Sequence, residues 1–477
     1  MLLYYSIHMF KQIPSFVLDI NRTLQSSGFE VFLVGGCVRN LFLEKPVVDW
    51  DFTTNATPEE MLKLFPDGFY DNTFGTVGVP IEVENKTSSP PRVDGQRESR
   101  QVVEITTYRT EQGYSDRRRP DTVTWGESIE EDLARRDFTI NAIAVELTNN
   151  NSQTATRIVD PHDGQKDLLS KTVRAVGDPN LRFKEDALRL MRAIRLATQL
   201  GFTIEQKTMD AILKDASLIN EVAMERVKAE LIKILASEYP YEGIMLLRNT
   251  NLLEHALPEL LDGVGVSQER PGRHHKSDVF THNVMSLKLC PSKDPIVRFA
   301  TLIHDIGKPR VAATDAEGFV IFHNHEIEGA RMAYQICERL RFSKKERQKI
   351  VTLVRWHMFT VDEKATDAAI RRFIRRVGVE NVEDMIDLRI GDRLGSGTQT
   401  AESWRLKLFK KRIEEQLAPA PFSINDLAID GNDVMKELNI KPGPKVGEIL
   451  QKLFEEVDED LSKNTKEHLL QRLHELA

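Results

Sequence analysis

Val31-Phe-Leu-Val-Gly-Gly-Cys-Val-Arg39, followed by Val47-Val-Asp49-Trp-Asp51-Phe52, is the stretch on which the reading of the chain turns. Four apolar residues end in a glycine pair, a helix-like segment carrying Arg39 follows, and a second apolar run holds two aspartates one residue apart. The pattern predicts strand, turn, helix, strand. On a strand, residues i and i+2 point to one face about 6.6 Å apart, so Asp49 and Asp51 are expected to present their carboxylates side by side. Such a pair suits a hard divalent cation, and Mg2+ completes its oxygen shell with water and substrate phosphates. Gly35 and Gly36 allow close backbone approach and open a helix N-terminus, which favours an anion. Together these features point to a nucleoside triphosphate and its metal.

Working outward, Thr57-Pro58-Glu59-Glu60 predicts a helix start with Thr57 as N-cap, running to about Phe65. Strands are expected over 76–83 and 102–108, with the Ser-, Pro- and charge-rich residues 85–100 as a surface insertion between them. Glu104 is a third carboxylate of the site if its strand lies beside the one bearing Asp51, and otherwise an ordinary solvent-facing residue. Residues 109–125 lack apolar periodicity and read as a loop, and 148–156 as a polar hairpin tip. Helical spacing places Asp137 and Asn141 on one face, where they can hold a ribose through its hydroxyls. Arg136 can meet a triphosphate bidentately.

Glu185-Asp186-Ala-Leu-Arg189-Leu-Met-Arg192-Ala-Ile-Arg195 is strongly helical, with Glu185, Arg189 and Arg192 at i, i+4 and i+7. Asp186, three residues before Arg189, is close enough for both to meet one ligand. A carboxylate beside a guanidinium matches the exocyclic amine and ring nitrogen of cytosine or adenine. Guanine and uracil present a carbonyl instead, and each buried polar group left unpaired costs about 1–3 kcal/mol. The plainer alternative is an intrahelical salt bridge. Arg226 and Glu230 are readable as a helix-surface pair or as a brace for the site.

Length and composition set the frame. The chain has 477 residues, 40% hydrophobic and 29% charged, enough for three or more domains. No apolar run approaches a membrane span. Met1 to Phe10 is apolar but lacks a basic leader and is interrupted by Ser6 and His8, which argues against a signal peptide; Met9 is a second candidate start. Three widely spaced cysteines, Cys37, Cys290 and Cys337, fit a reducing compartment, and a cytoplasmic location is expected. With a net charge of −8, nucleic-acid contacts must be local. Candidate patches are Arg117-Arg-Arg119, the run from Arg339 to Lys349, and Arg371-Arg372 with Arg375-Arg376.

Gly35-Gly36-x-x-Arg39 followed by Asp49-x-Asp51 resembles the head of the class II tRNA nucleotidyltransferase and poly(A) polymerase family. Arg135-Arg136-Asp137-Phe-Thr-x-Asn141-Ala resembles its second motif, Asp160-Pro161-His-Asp-Gly164 its third, the 185–195 helix its fourth and Glu225-Arg226-Val-Lys-Ala-Glu230 its fifth. The resemblance covers essentially the whole chain. It implies an α+β fold, a small polymerase β-like mixed head followed by all-α domains. The expected divisions are head 1–147, neck 148–252, a third domain 253–400 and a helical tail 401–477 that holds tRNA. It further implies that Asp49 and Asp51, helped by Glu104, hold Mg2+ for nucleotidyl transfer from CTP and ATP to the tRNA 3′ end. Gly35, Gly36, Arg39, Arg136, Asp137, Asn141, Glu185, Asp186, Arg189, Arg192 and Arg195 would bind the nucleotide. Residues 109–125 resemble the family's flexible loop, which matters for the final A.

A second chemical centre lies downstream. Seven of twelve histidines fall between His274 and His357, and His282, His304-Asp305, His325, His357 and Asp387 or Asp392 supply mixed nitrogen and oxygen donors suited to a transition metal. The series resembles the HD phosphohydrolase superfamily. The resemblance implies that His282, His304, Asp305 and Asp392 hold one metal ion such as Ni, Mn, Fe or Zn, with His325 and His357 available to a second. Such a domain either hydrolyses phosphoesters or serves as an RNA-binding body.

Several alternatives stay open: a poly(A) polymerase, a CC-only or A-only enzyme, an HD phosphohydrolase with a binding-only head, or an RNA-binding module without catalysis. The Asp49/Asp51 pair argues against a binding-only head. Ala187 after Asp186 favours the CCA-adding form over poly(A) polymerases, which more often carry Pro there. No membrane partner is expected, and the sequence leaves the oligomeric state open.

Overall fold

The computed structural model describes residues 13–70, 75–81, 101–112, 122–147, 155–269, 277–359, 365–417 and 423–476. Outside these lie the N-terminal apolar segment, the 85–100 insertion, Arg117-Arg-Arg119, most of the 148–156 tip, His274-His275 and residues 418–422. The chain forms two compact units, Met1–Pro258 and Glu259–Ala477. No helix among the described residues is long and apolar enough to cross a membrane.

In the first unit, helix α1 (Ser15–Ser26) leads into strand β1 (Val31–Val34), whose four residues are all buried. The strand takes a continuous apolar run because it is hydrogen-bonded on both edges, to β2 (Asp51–Thr54) and to β8 (Ala144–Leu147), both antiparallel. Gly35 ends it with φ +76, a backbone conformation only glycine adopts cheaply, and turns the chain into helix α2 (Gly36–Phe42). Helix α3 (Pro58–Leu64) starts as its sequence predicts, with a Thr57/Glu60 capping box and Pro at the first turn.

The remaining strands are β3 (Phe69–Tyr70), β4 (Thr76–Ile81), β5 (Gln101–Thr107) and β9 (Ala155–Val159), giving a seven-stranded mixed sheet in the order β3-β4-β5-β2-β1-β8-β9. The β2–β5 pair is parallel and sets Asp51 opposite Glu104. The ends of the 109–125 segment are not loop: β6 (Arg109–Gln112) and β7 (Thr122–Trp125) pair as an antiparallel ribbon. Its polar, non-alternating sequence hides this because a two-stranded ribbon need not bury a face.

Further helices of this unit are α4 (Ile129–Ala134), α5 (Pro179–Glu185) and α6 (Leu188–Leu200), with α7 (Met224–Leu235) packed against α6. The expected continuous helix through 185–195 is broken. Asp186 adopts extended backbone angles, φ −137 and ψ 104, and its Oδ1 accepts the Leu188 N–H at 3.1 Å, so it caps α6 as α5 ends. An aspartate competes for backbone N–H groups in this way and is better placed at a helix start than inside one.

The second unit is helical: α8 (Val279–Leu289), α9 (Pro295–Leu302), α10 (His325–Arg339), α11 (Lys344–Trp356), α12 (Asp367–Val377), α13 (Val382–Gly395), α14 (Trp404–Leu417), α15 (Pro444–Glu459) and α16 (Lys466–Leu476). Helices α8 and α13 approach closely because Gly391 and Gly395 face Ser286, where any Cβ would fall 2.7 Å from the Ser286 carbonyl or 2.3 Å from its Oγ. The Arg-rich stretches are largely paired: Arg371 and Arg375 meet the buried Asp458, and Arg339 meets Glu259.

Candidate functional site

Strand β2 begins at Asp51, not before it, so Asp49 lies in the exposed segment leading in and the two aspartates do not share a strand. The carboxylate directly beside Asp51 is Glu104, one strand over. Burial raises the Asp51 pKa to about 6, Glu104 and Asp49 add to the rise, and Arg136 opposes it. A carboxylate pushed up by its own kind is a place where a divalent cation relieves repulsion, and the oxygen-only donor set fits Mg2+.

The glycine turn stands over this pair. A Cβ at Gly35 would sit 3.2 Å from Arg136 Nη1 and 3.5 Å from Asp51 Oδ2, so glycine keeps open the space between cation and carboxylate. Arg136 is anchored from behind by Asp132, 3.1 Å away, which also pairs with Arg135. Arg39 donates to Asn141 Oδ1 at 2.7 Å, and Asn141 Nδ2 donates to Asp137 Oδ1 at 3.1 Å. Asp137 and Asn141 do meet, but not on an α-helix: α4 has ended, and a single 3₁₀ turn over Thr139–Asn141 brings them together. The Arg192 guanidinium and the Asn141 amide hold the Asp137 carboxyl well below its usual range against the cost of burial.

On the neck, Arg189 Nη1 meets Glu185 at 2.6 Å, while Asp186 pairs with Arg226 at 3.1 Å. Arg195 is turned to the buried Glu230 at 3.1 Å. The sequence placed Asp186 with Arg189 and did not foresee its contact with Arg226; the signal was the Glu225-Arg226-x-x-x-Glu230 string, whose Arg and Glu both reach back to α6 or its cap. The third motif braces the turn below: Asp160 accepts the Gly164 and Gln165 N–H groups at 2.7 and 2.9 Å, and a Cβ at Gly164 would lie 2.3 Å from the Thr139 carbonyl.

In the second unit, His282, His304 and Asp392 form one buried cluster and Asp305, His325 and His357 another. Asp305 joins them: its Oδ2 is 3.3 Å from His282 and His304 Nε2, and its Oδ1 is 3.3 Å from His325 and 3.5 Å from His357 Nε2. Asp392 Oδ1 lies 3.3 Å from His282 Nε2. His304, His325 and His357 each have Nδ1 2.8 Å from a backbone carbonyl, of Thr301, Phe322 and Val354. That arrangement fixes the ring tautomer so that Nε2 faces the cluster, as metal-ligating histidines require. Asp387, the alternative to Asp392, lies outside both clusters. Burial works against ionising the Asp305 and Asp392 carboxylates, yet the facing histidines, with Lys308 at Asp305, hold both well below the usual range.

Family models match three stretches: the poly(A) polymerase head domain over residues 31–174, a "Probable RNA and SrmB- binding site of polymerase A" over 201–263, and tRNA nucleotidyltransferase domain 2 over 320–473. The CCA-adding enzyme of Bacillus cereus is 31% identical over 456 residues, covering 94% of this chain and 96% of that one. The chain belongs to the tRNA nucleotidyltransferase and poly(A) polymerase family. Another member, the A-adding tRNA nucleotidyltransferase of Deinococcus radiodurans, is 38% identical over 346 residues, 69% of this chain and 75% of that one. The crystal structure of the Bacillus stearothermophilus CCA-adding enzyme in complex with CTP aligns with a TM-score of 0.66 over 97% of this chain and 98% of that one at 24% identity, which bears on the fold. The α+β architecture, a mixed-sheet head followed by helical domains, is thus shared with family members.

Proposed function

We propose that the protein extends the tRNA 3′ end by C, C and A, taking CTP and ATP as substrates without a nucleic-acid template. The observation that carries this reading is the juxtaposition of Asp51, Glu104, Arg136 and the Gly35 turn at one end of the three central strands of the sheet, in the same compact unit as the Asp186–Arg226 pair. Mg2+ held by Asp49 and Asp51, with Glu104 beside them, would activate the terminal hydroxyl of the tRNA and neutralise the departing pyrophosphate. Arg136 and Arg39 face the triphosphate, with Gly36 lending its helix N-terminus. Asp137 and Asn141 position the ribose and are themselves held by Arg192. Asp186, held in place by Arg226, accepts from the base amine while Arg189 donates to the ring nitrogen; Glu185, Arg192 and Arg195 keep this helix in place.

The Deinococcus relative supports a second reading, addition of the final A alone. Both readings are tested by incubating the protein with tRNA ending at the discriminator base, at C and at CC, each with labelled ATP, CTP, GTP or UTP, and sequencing the ends. Stepwise C, C, A is the expected result; incorporation only onto CC ends would favour A addition, and long A tails on unrelated RNA would overturn both.

We also infer that the second unit, within the region 253–400, is an HD-type domain. His282, His304 and Asp392 would hold one transition-metal ion, His325 and His357 a second, with Asp305 between them. Metals in such a centre activate water toward a phosphoester. The inward-facing Nε2 atoms and the shared Asp305 support this. Elemental analysis of the purified protein tests it, and metal content unaffected by His304→Ala would exclude it.

A further inference from the structure

Glu104 has a second neighbour in the sheet besides Asp51. Asp51 on β2 stands opposite Glu104 on β5, Glu104 opposite Gly78 on β4, and Gly78 opposite Phe69 on β3, one row across four adjacent strands. Residues directly opposite on paired strands share a face, so all four positions lie on the face that carries the carboxylates. The other face is core: Phe52, Ile105 and Val77, each one residue along from the row, are buried.

The aromatic ring on this row is presented rather than packed away. Phe69 is 45% exposed, and Val102, two residues before Glu104 on the same face of β5, is 37% exposed. A Cβ at Gly78 would lie 2.7 and 3.0 Å from the Cζ and Cε2 atoms of Phe69 and 3.0 Å from Val102 Cγ1, so the ring lies across the bare glycine with Val102 at its side. It thus reaches over β4 and ends one strand spacing, about 4.8 Å, from the strand of Glu104. Tyr70, the next residue, is used differently: its hydroxyl accepts the Gly75 N–H at 3.3 Å.

The strand order divides the site. Strand β1 with its Gly35 turn lies on one side of β2, and β5, β4 and β3 lie on the other. With the triphosphate at Gly35 and Arg136, an in-line displacement needs the attacking hydroxyl on the side away from the departing pyrophosphate, which is the side of Glu104, Gly78 and Phe69. The nucleotide bearing that hydroxyl changes identity as the acceptor grows, so hydrogen bonds to one base edge cannot hold it at every step. An aromatic face can, because every base has a π-face, and phenylalanine adds no donor or acceptor that would select among bases. We propose that Phe69, flanked by Val102, is the platform on which the terminal base of the acceptor tRNA stacks, directing its 3′ hydroxyl toward Asp51 and Glu104. The assignment rests on the nucleotidyltransferase reading and names a residue that positions the acceptor rather than the incoming nucleotide.

The test gives the full-length protein tRNAs ending at the discriminator base, at C and at CC, with CTP or ATP as each end requires. In Phe69→Ala, kcat/KM for tRNA should fall about fivefold or more with all three ends, the scale of one lost base stack, while KM for CTP and ATP stays close to wild type. Phe69→Trp should restore most of the loss. A ring over a glycine also steadies a sheet, so a second readout reports stacking itself: 2-aminopurine as the last base of the acceptor should be quenched on binding wild type and Phe69→Trp, but not Phe69→Ala. Gly78→Ala, whose methyl group would push the ring aside while leaving it in the chain, should lose the quenching too. The platform is overturned if Phe69→Ala keeps both the quenching and kcat/KM for tRNA, or if its loss is confined to one tRNA end or falls on the nucleotide KM instead. A wild-type protein that extends none of the three ends would reject the nucleotidyltransferase reading and the platform with it; one that extends them no better than Phe69→Ala rejects the platform alone.

Discussion

Asp137 Oδ2 accepts both Nε and Nη2 of Arg192, at 2.8 and 2.5 Å, across 55 residues of sequence. The same carboxylate accepts from Asn141 through Oδ1, and Asn141 accepts from Arg39, so one buried acid links the helix after the glycine turn to the neck helix. Asp137→Asn should therefore lower C and A incorporation together, at least tenfold, with the ratio between them unchanged. Unfolding should become easier by about 2–4 kcal/mol, since a buried partner is lost while Arg192 remains partly exposed. The folded pKa is depressed, so this stabilisation is present above the ordinary aspartate range and is lost as pH falls through the depressed value. Acid titration of wild type and variant, followed by circular dichroism, should show their stabilities converging below about pH 4.

Asp51 behaves oppositely. Its pKa is raised to about 6, so the contribution it makes to folding is present at low pH and is lost as pH rises through that value. Metal-free protein should melt at lower temperature above pH 6 than below it on this account, and Mg2+ should restore the difference. Apparent Mg2+ affinity, read by calorimetry, should drop about tenfold per unit below pH 6, with about one proton released per ion bound. Glu104→Gln removes a neighbouring negative charge and should move that inflection to lower pH. An unmoved inflection would show that the strand-to-strand pairing does not set the Asp51 titration.

Arg226 touches Asp186 at 3.1 Å and holds the acid that is read as the selector of the base. Arg226→Ala should weaken discrimination against UTP and GTP by about tenfold, the scale of one misplaced hydrogen bond, while leaving incorporation of the correct nucleotide within a few-fold. Asp186→Ala should reduce discrimination further. Preference for C and A that survives Asp186→Ala would remove the base-reading role from this pair.

Residues of the fold and site differ, for physical reasons, in how far their sequence context foretells their place. The β1–Gly35–α2 turn was legible because a buried four-residue apolar run and an obligatory positive φ leave few choices. Glu104 was legible only conditionally, because strand pairing is non-local and its alternation does not say which strand lies next to it. The kink at Asp186 is not legible in the periodicity, which continues through it over 179–200; the local cap on Leu188 N–H and the tertiary partner Arg226 together show why the carboxylate leaves the helix. The ribbon formed by β6 and β7 was missed because neither strand buries a continuous apolar face. The meeting of Asp305 with both histidine pairs is hidden by the spacing of its partners, which lie up to 75 residues apart between His282 and His357, although each of these residues is visible singly.

The closeness of α8 and α13 makes a last prediction. His282 is one turn before Ser286 on α8, and Asp392 is nearly one turn before Gly395 on α13, so the clearance at Gly395 sets the separation of these two proposed ligands. A Cβ at Gly395 would fall 2.3 Å from Ser286 Oγ and 2.8 Å from its backbone N; the hydroxyl can rotate away, but the backbone cannot. Gly395→Ala should therefore force the helices apart by a few tenths of an ångström or more, at a cost of about 1–3 kcal/mol. Because His282 and Asp392 depend on that contact while the sheet site lies in the other unit, the variant should lose at least half of the transition metal proposed for this cluster and keep nucleotidyl transfer near the wild-type rate. Ser286→Ala combined with Gly395→Ala should recover part of the stability, since it removes the nearest of the three Ser286 clashes. Full metal content in Gly395→Ala, measured by elemental analysis alongside a melting curve, would show that helix separation does not govern the cluster.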